Sequence, residues 1–467
     1  MHKRMMLVIL AMAGLALLMT GCDLFNTAEL VAPAADGFEA EYILAFSGTL
    51  PKNLEADLAA IGGTIRSTLD SIGAVIVTTS SPGFADAAAS LGGVSAVIPD
   101  ATIDWVPGDE YGTVSPEHIG SNETFFDAYQ WSMLAIDAPG AWDAGYTGAG
   151  VRVAVCDSGI DVGHPDLSGN IDFADSRSFL DPWHPEYSAV PAIQDFDGHG
   201  THVAGIVAAA DNDWGSIGVA PNAEIVVLKV LTGDGSGSFS WLLEALDYAT
   251  TIDVDVLNMS LGAYFTRDGY YVTDLADPSS WLYLGANEVA AFVNLVKAAV
   301  TAVWDSGAFV VASAGNDFLN GTGDAGLLHL PSDACSKGIT ASATGPLGWA
   351  FDPTTDLDVP AVYTNYGASV DLAAPGGNVD WALYPNGPWY YDLVFSTYLG
   401  GWAWMAGTSQ AAPHVAGVAA LIIEANGGSM KPSHVESILK GTADDLGKPG
   451  FDPFYGHGRI NAAAAVK

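Results

Sequence analysis

Basic residues are scarce in this chain. Lysine and arginine number 15 against 54 aspartates and glutamates, a formal net charge of −39. A surface of that sign repels nucleic acid and anionic lipid headgroups, so no nucleic-acid partner is expected. The charge reads first as a solubility adaptation, and more weakly as selection for cationic substrates. Cysteine is scarcer still, with three in 467 residues. Setting Cys22 apart, two remain, which is too few for a disulfide framework. Cys156 lies in an apolar strand pattern and reads as a buried free thiol, with a bridge to Cys335 left open. Beyond the N-terminus, no stretch reaches the roughly 18 uninterrupted apolar residues of a membrane span. Internal repeats and long low-complexity runs are lacking. Only 15% of residues are charged while 49% are hydrophobic. That excludes a disordered polyelectrolyte and implies a large buried core in two or three domains.

The N-terminus carries what the rest lacks. His2-Lys3-Arg4 is a basic start, and Met5 to Met19 is almost wholly apolar, the pattern of a targeting segment. It ends in Leu18-Met19-Thr20-Gly21-Cys22, which resembles a bacterial lipoprotein signal, with Met19 where Leu is usual. The resemblance implies loss of residues 1–21, lipidation of Cys22, and a lipid bilayer as partner on the periplasmic or cell-surface side. An ordinary signal peptide is the alternative. Asp23 fits inner-membrane retention in some Gram-negative bacteria. Residues 22–37 are small and polar, a tether. Residues 38–106 alternate strand and helix patterns in the order β-α-β-α-β, ending in Val94-Ser95-Ala96-Val97-Ile98-Pro99. That is a small α+β, ferredoxin-like unit. Residues 107–121 are a linker containing Gly and Pro. From Val151 onward, buried-strand patterns (Val151–Cys156, Ile225–Leu231, Val256–Met259, Phe309–Ser313, Val370–Ala373) alternate with helical ones (Thr201–Ala210, Ser240–Thr251, Asn287–Ser306, Ser409–Ala425). This predicts an α/β domain over 122–467, a parallel sheet flanked by helices on both faces.

Three segments carry reactive groups. Val-Ala-Val-Cys-Asp157-Ser-Gly-Ile-Asp offers an acid at a strand end. Asp-Gly-His199-Gly-Thr-His-Val-Ala-Gly offers an imidazole, and Gly-Thr-Ser409-Gln-Ala-Ala-Pro-His-Val-Ala-Gly a hydroxyl at a helix start. Together they are the parts of a nucleophilic acyl-transfer site. A fourth, Phe309-Val-Val-Ala-Ser-Ala-Gly-Asn316-Asp, runs from a strand into a turn bearing an amide, the donor that a developing oxyanion needs. The three segments and their Asp…His…Ser order resemble the subtilisin-like serine proteases (subtilases) over their full length. Gln410 stands where Met is commoner, and Cys156 where Ile or Leu is usual.

The resemblance implies a serine endopeptidase acting on polypeptides through an acyl-enzyme on Ser409, with no cofactor for catalysis. Asn316 and the backbone N–H of Ser409 would form the oxyanion hole. The 38–106 unit would be an inhibitory propeptide that assists folding, cut between about Ile103 and Tyr111. Gly235-Ser236-Gly237 and Ser260-Leu261-Gly262 would be the two edges pairing with a substrate backbone. Ala312-Ser313-Ala314-Gly315 would wall the primary specificity pocket, with His329 at its border. The small wall residues suggest room for a large apolar side chain. A structural calcium ion would be held by Glu123, Asp166, Asn212 and the carbonyls of Trp214 and Ser216. His202 and His414 read as packing residues. Sedolisins, acid-active relatives, replace the His and Asn that His199 and Asn316 retain, so a neutral-to-alkaline optimum is expected. Two alternatives are a catalytically silent binding protein and a processing protease of narrow specificity. The segments Tyr264–Gly285 and Gly377–Trp404 exceed a minimal subtilase and are expected to reshape the cleft.

Overall fold

The computed structural model describes residues 40–106, 122–189, 191–321, 326–380 and 388–467, and within them the side chains except those at 122–124 and 127. The signal segment 1–21, Cys22, the tether and the linker 107–121 lie outside the described residues, as does the side chain of Glu123.

The N-terminal unit runs β1 (Ala40–Phe46), α1 (Leu54–Ala60), β2 (Gly63–Leu69), β3 (Ala74–Thr79), α2 (Phe84–Ala89) and β4 (Val94–Pro99). Its sheet has the order β2-β3-β1-β4, all antiparallel. One face is closed by Leu54, Leu58, Phe84 and Ala88 of the helices over Leu44, Val75 and Val77. Strand β2 corrects the β-α-β-α-β expectation. It is an edge strand of polar and half-exposed residues, with a register shift at Ile65/Ser67. An edge strand needs no buried apolar stripe, so its sequence lacks the signal that marks its neighbours.

Short helices α3 (Asn122–Tyr129), α4 (Trp131–Ala135) and α5 (Ala138–Asp143) lead into the large domain. Its sheet contains β6 (Arg152–Asp157), β7 (Arg177–Ser178), β8 (Glu224–Lys229), β10 (Val256–Met259), β14 (Phe309–Ser313), β16 (Ile339–Thr344) and β17 (Leu372–Pro375). They lie in the order β17-β16-β14-β10-β6-β8-β7, every pairing parallel. The central strands are buried along their length, as β-rich runs covered on both faces must be. Helices α6 (His199–Ala208) and α9 (Thr408–Ala425) pack together on one face, and α7 (Phe239–Ala249) and α8 (Ala286–Ser306) on the other. Helix α8 is long and apolar enough to cross a membrane, yet its Phe292, Val296 and Val300 are buried against the domain. Val370 follows a turn and precedes the strand, so the last sheet strand starts two residues later than its sequence suggests.

The remaining strands shape the cleft. Strands β11 (Ala263–Thr266), β12 (Tyr270–Val272), β13 (Leu282–Tyr283) and β15 (Leu327–Leu330) form a second sheet, and β18 (Val394–Tyr398) with β19 (Gly401–Met405) a hairpin. Strand β5 (Thr102–Asp104), just past the N-terminal unit, pairs antiparallel with β9 (Ser236–Ser238).

Candidate active site

Parallel strands present ligands and reacting groups at their carboxyl ends, where the loops emerge. Register sets the levels. Met259 of β10 pairs with Cys156 of β6 and with Ala312 of β14, so Asp157, Ser260 and Ser313 leave the sheet side by side. Asp157 Oδ1 accepts from His199 Nδ1 at 2.7 Å and from the Ser158 N–H at 2.7 Å. Both members of the pair are 1% exposed. Burial pushes the Asp157 carboxyl up, and the His199 contact opposes that shift. Helix α6 begins at His199 itself, two residues before its expected start. The ring therefore sits at a helix N-terminus, and the tight turn before it needs glycine. Gly198 has φ +106°, and a Cβ there would lie 2.2 Å from the Tyr398 ring.

Ser409 is the second residue of α9, so its N–H has no intrahelical acceptor. Its Oγ donates to the Ser260 carbonyl at 3.2 Å, and the Ser260 hydroxyl donates to the Ser409 carbonyl at 2.8 Å. Pro413 explains the second bond. It stands four residues after Ser409 inside the helix and has no N–H to offer that carbonyl. The freed acceptor is what Ser260 uses to fix the start of α9 on the end of β10. Asn316 Oδ1 accepts from both the N–H and the hydroxyl of Thr408, each at 2.8 Å. Two donors identify that atom as the oxygen and leave the NH₂ group facing away from Thr408.

Asp195 is a positioning residue that motif reading passed over. Its carboxylate accepts from the Ser158 hydroxyl, the N–H groups of Asp197 and Gly198, and both the N–H and hydroxyl of Thr201, at 2.6–3.0 Å. It ties the turn after Asp157 to the start of the histidine helix. An Asp three residues before the glycine that opens the helix was the available signal. His202 and His414 are fully buried, bonded to the carbonyls of Ala403 and Gln410. Burial drives their pKa values down to about 3 and about 4, so both are neutral packing groups. Cys156 and Cys335 are free thiols.

The two proposed substrate edges hold a peptide already, the chain's own segment 102–106. Register pairs Thr102 with Ser238, Ile103 with Gly237 and Asp104 with Ser236. Trp105 N–H donates to the Gly235 carbonyl at 3.1 Å, and Gly262 N–H donates to the Trp105 carbonyl at 2.8 Å. The indole is 2% exposed, bonded through Nε1 to the Gly237 carbonyl at 3.0 Å and packed against Phe239 and Phe292. Tyr271, from the extended 264–285 region, donates to the Asp104 carbonyl. Leu261 is buried behind this edge.

The expected pocket wall is altered in two respects. Ala312 is fully buried inside β14 and exposes no surface, and Ser313 turns its hydroxyl toward the Leu261 carbonyl at 3.4 Å. Ala314 lines a small cavity together with Tyr264 and His329, and a Cβ on Gly315 would lie 2.6 Å from the Tyr264 hydroxyl and 3.0 Å from His329 Nε2. The room expected for a large apolar side chain is therefore taken.

Around the expected calcium loop, Asp166 Oδ2 accepts from the Ser216 N–H and from Trp402 Nε1, each at 2.8 Å. Its Oδ1 faces the Asn212 amide at 3.5 Å. Among the described residues no three His, Cys, Asp or Glu side chains cluster as metal ligands.

The subtilase family (Peptidase_S8) matches residues 148–458. The chain is 35% identical over 344 residues to an alkaline protease of Alkalihalobacillus alcalophilus, covering 74% of this chain and 71% of that protein. It is 35% identical over 337 residues to subtilisin Savinase of Lederbergia lenta, covering 72% of this chain and 98% of that one. The solved epidermin leader peptide processing serine protease of Staphylococcus aureus shares the fold, with TM-score 0.69 and 22% identity over 92% of this chain and 98% of that one. A chain matched over such lengths, with these groups gathered at the carboxyl edge of one parallel sheet, belongs to the subtilase family and is a serine-type endopeptidase.

Proposed function

We propose that Ser409 is the nucleophile, His199 the general base and Asp157 the group that orients the imidazole. The buried Asp157–His199 hydrogen bond carries this reading. As Ser409 Oγ attacks a peptide carbonyl, its proton passes to His199 Nε2. Asp157 keeps the proton on Nδ1 and stabilises the imidazolium. The developing oxyanion takes hydrogen bonds from the Asn316 NH₂ and the Ser409 N–H. His199 then protonates the leaving amine, and water repeats the sequence to release the acyl group. A fluorophosphonate probe should label the wild type and not Ser409→Ala; an unlabelled wild type would end the proposal.

We also read the N-terminal unit as an inhibitory propeptide, supported by the segment 102–106 in the cleft. Its docking should depend on pH. Arg66 lies 2.9 Å from Glu41, 3.5 Å from Asp181 and 3.3 Å from Glu244, while Asp100 accepts from Ser240 at the start of α7. Three carboxylates thus share one guanidinium at this interface, with Asp100 bonded to Ser240 beside them. Burial pushes Glu41 up to about 7, against the pull of Arg66, and Asp100 up to about 6. The docked form holds protons that the separated form loses nearer pH 4–4.5. Docking is therefore tightest below that point, weakens as pH rises to about 7, and levels off above. Glu41's rise from 4.5 to about 7 corresponds to roughly 3 kcal/mol at about 1.4 kcal/mol per pH unit, reduced by solvent screening to roughly 1–2 kcal/mol. After processing, the N-terminal fragment should co-elute with the enzyme at pH 5 and separate at pH 8. Equal retention at both would contradict it.

Export and anchoring through Cys22 remain part of the proposal, supported by the sequence of the first 22 residues. Cys22→Ser should move the protein out of the membrane fraction. A structural calcium ion is also proposed. In its favour, the Asn212 amide and Asp166 Oδ1 face each other at a long 3.5 Å, and rotating that amide would turn two oxygens toward one point. Asp166, Asn212 and the carbonyls of Trp214 and Ser216 would hold the ion, with Glu123 as a further ligand. Its work would be to stiffen the loop after α6, with no part in proton transfer. Chelation should lower Tm by about 5 °C, reversibly with calcium; an unchanged Tm would remove the ion from the proposal.

A further inference from the structure

Substrate selection at the residue before the cut follows from one side chain in the crevice. The chain's own peptide crosses Gly262, whose N–H holds the Trp105 carbonyl. Ser409 sits two residues back along that edge, on the Ser260 carbonyl. The pocket wall that the subtilase resemblance assigns to the residue before the cut then lies beside Ser409, in the crevice between Ser260–Gly262 and Ser313–Gly315. These two segments continue neighbouring strands of one sheet, so the crevice is a slot with backbone on either side.

That slot is spanned by His329. A Cβ added to Gly262 would lie 2.2 Å from His329 Nε2, and one added to Gly315 would lie 3.0 Å from the same atom. The Tyr264 ring stands against the imidazole with centroids 4.7 Å apart, and its hydroxyl accepts from Asn365 Nδ2 at 2.8 Å. Neither ring is free to swing aside cheaply. His329 and Tyr264 face each other across the β11–β15 pairing. His329 Nδ1 meets the Ser332 hydroxyl at 2.8 Å, and its backbone N–H donates to Asp333 Oδ2 at 2.8 Å. His329 and Tyr264 are 7% and 8% exposed. Burial keeps the imidazole neutral, its pKa driven down to about 4, so it presents no charge to a substrate.

We propose that His329 is the specificity-determining residue of this endopeptidase, closing the slot so that cleavage follows glycine, alanine or serine. The proposal rests on Ser409 being the nucleophile. A phenylalanine or leucine side chain entering between the two glycine-bearing edges would overlap the imidazole. A methyl or hydroxymethyl group stays above it. Glycine at position 329 would clear the Gly262 side of the slot, leaving Tyr264 and Asn365 against Gly315.

The test is cleavage-site profiling of the mature enzyme on a proteome-derived peptide mixture, with kcat/KM for matched peptides bearing alanine or phenylalanine before the cut. The wild type should favour alanine at least about tenfold. His329→Gly should raise the ratio of kcat/KM for the phenylalanine peptide over that for the alanine peptide at least about tenfold. His329→Ala serves if the glycine variant does not fold, and should move preference the same way. Each variant should still be labelled by the fluorophosphonate, which shows that it folds with a reactive Ser409. A labelled wild type that cuts freely after phenylalanine, tyrosine or leucine overturns this proposal alone, as does an unchanged preference in folded variants. A wild type that neither labels nor cleaves overturns the nucleophile assignment and this proposal with it.

Discussion

Ser409→Ala is expected to lower kcat by about 10⁶-fold with KM nearly unchanged, and His199→Ala to cost as much. The hydroxyl is the attacking group of the proposed mechanism, and without the imidazole it has no base to take its proton. The double variant should be no worse than either single one, because the two groups act as a unit. Stability should hardly move. Ser409 Oγ makes one long bond, 3.2 Å to the Ser260 carbonyl, while the bond that fixes the helix start uses the Ser409 backbone carbonyl and survives. Losing the side-chain bond costs about 1 kcal/mol. Single-turnover hydrolysis of a chromogenic peptide, with thermal unfolding alongside, measures both. Losses that multiply in the double variant would show that the two residues do not share one step.

Removal of the amide at 316 should be the next largest effect. Asn316→Ala is expected to lower kcat about 10²–10³-fold at constant KM, the loss typical of one oxyanion donor. The variant Asn316→Asp separates donation from packing. An aspartate retains the oxygen that accepts from Thr408 N–H and hydroxyl, so the link between the β14 turn and α9 persists. What it loses is the NH₂ group, replaced by an acceptor that repels a developing oxyanion. Asn316→Asp should therefore be at least as slow as Asn316→Ala while unfolding at a temperature close to the wild type. Wild-type turnover in the aspartate variant would confine Asn316 to a structural role.

Much of this was legible because chemistry and local structure coincide in short segments. Asp157 ends an apolar run, His199 follows Gly198, and Ser409 opens a run of small residues, so strand end, tight turn and helix start can each be read from neighbours in sequence. The parallel sheet was legible for the same reason. Strands buried on both faces are continuous apolar runs, and the helices between them have their own period. The helices start at His199 and Thr408, two residues and one residue before the apolar period predicts, since those first residues carry no apolar period. Edge strand β2 was missed because only one of its sides meets a neighbour. Asp195 is half legible: its place three residues before Gly198 signals the local bonds to Asp197, Gly198 and Thr201, while its bond to Ser158, 37 residues upstream, depends on the fold.

The sequence by itself determined which groups could react and in what class of fold. Those properties depend on residue type and on contacts within a few positions. Only the tertiary structure decided how much room surrounds the reaction. The Ser260–Ser409 exchange arises because Pro413 frees a carbonyl that a loop 149 residues away can use. His329 enters the slot because β15 pairs with β11 more than sixty residues upstream, and Trp105 finds Phe239 and Phe292 on two different helices. Cavity shape is a sum of long-range packing choices, each set by backbone pairing elsewhere. A small-residue wall that looks spacious in the sequence is filled from the opposite side by a chain segment with no local reason to be there.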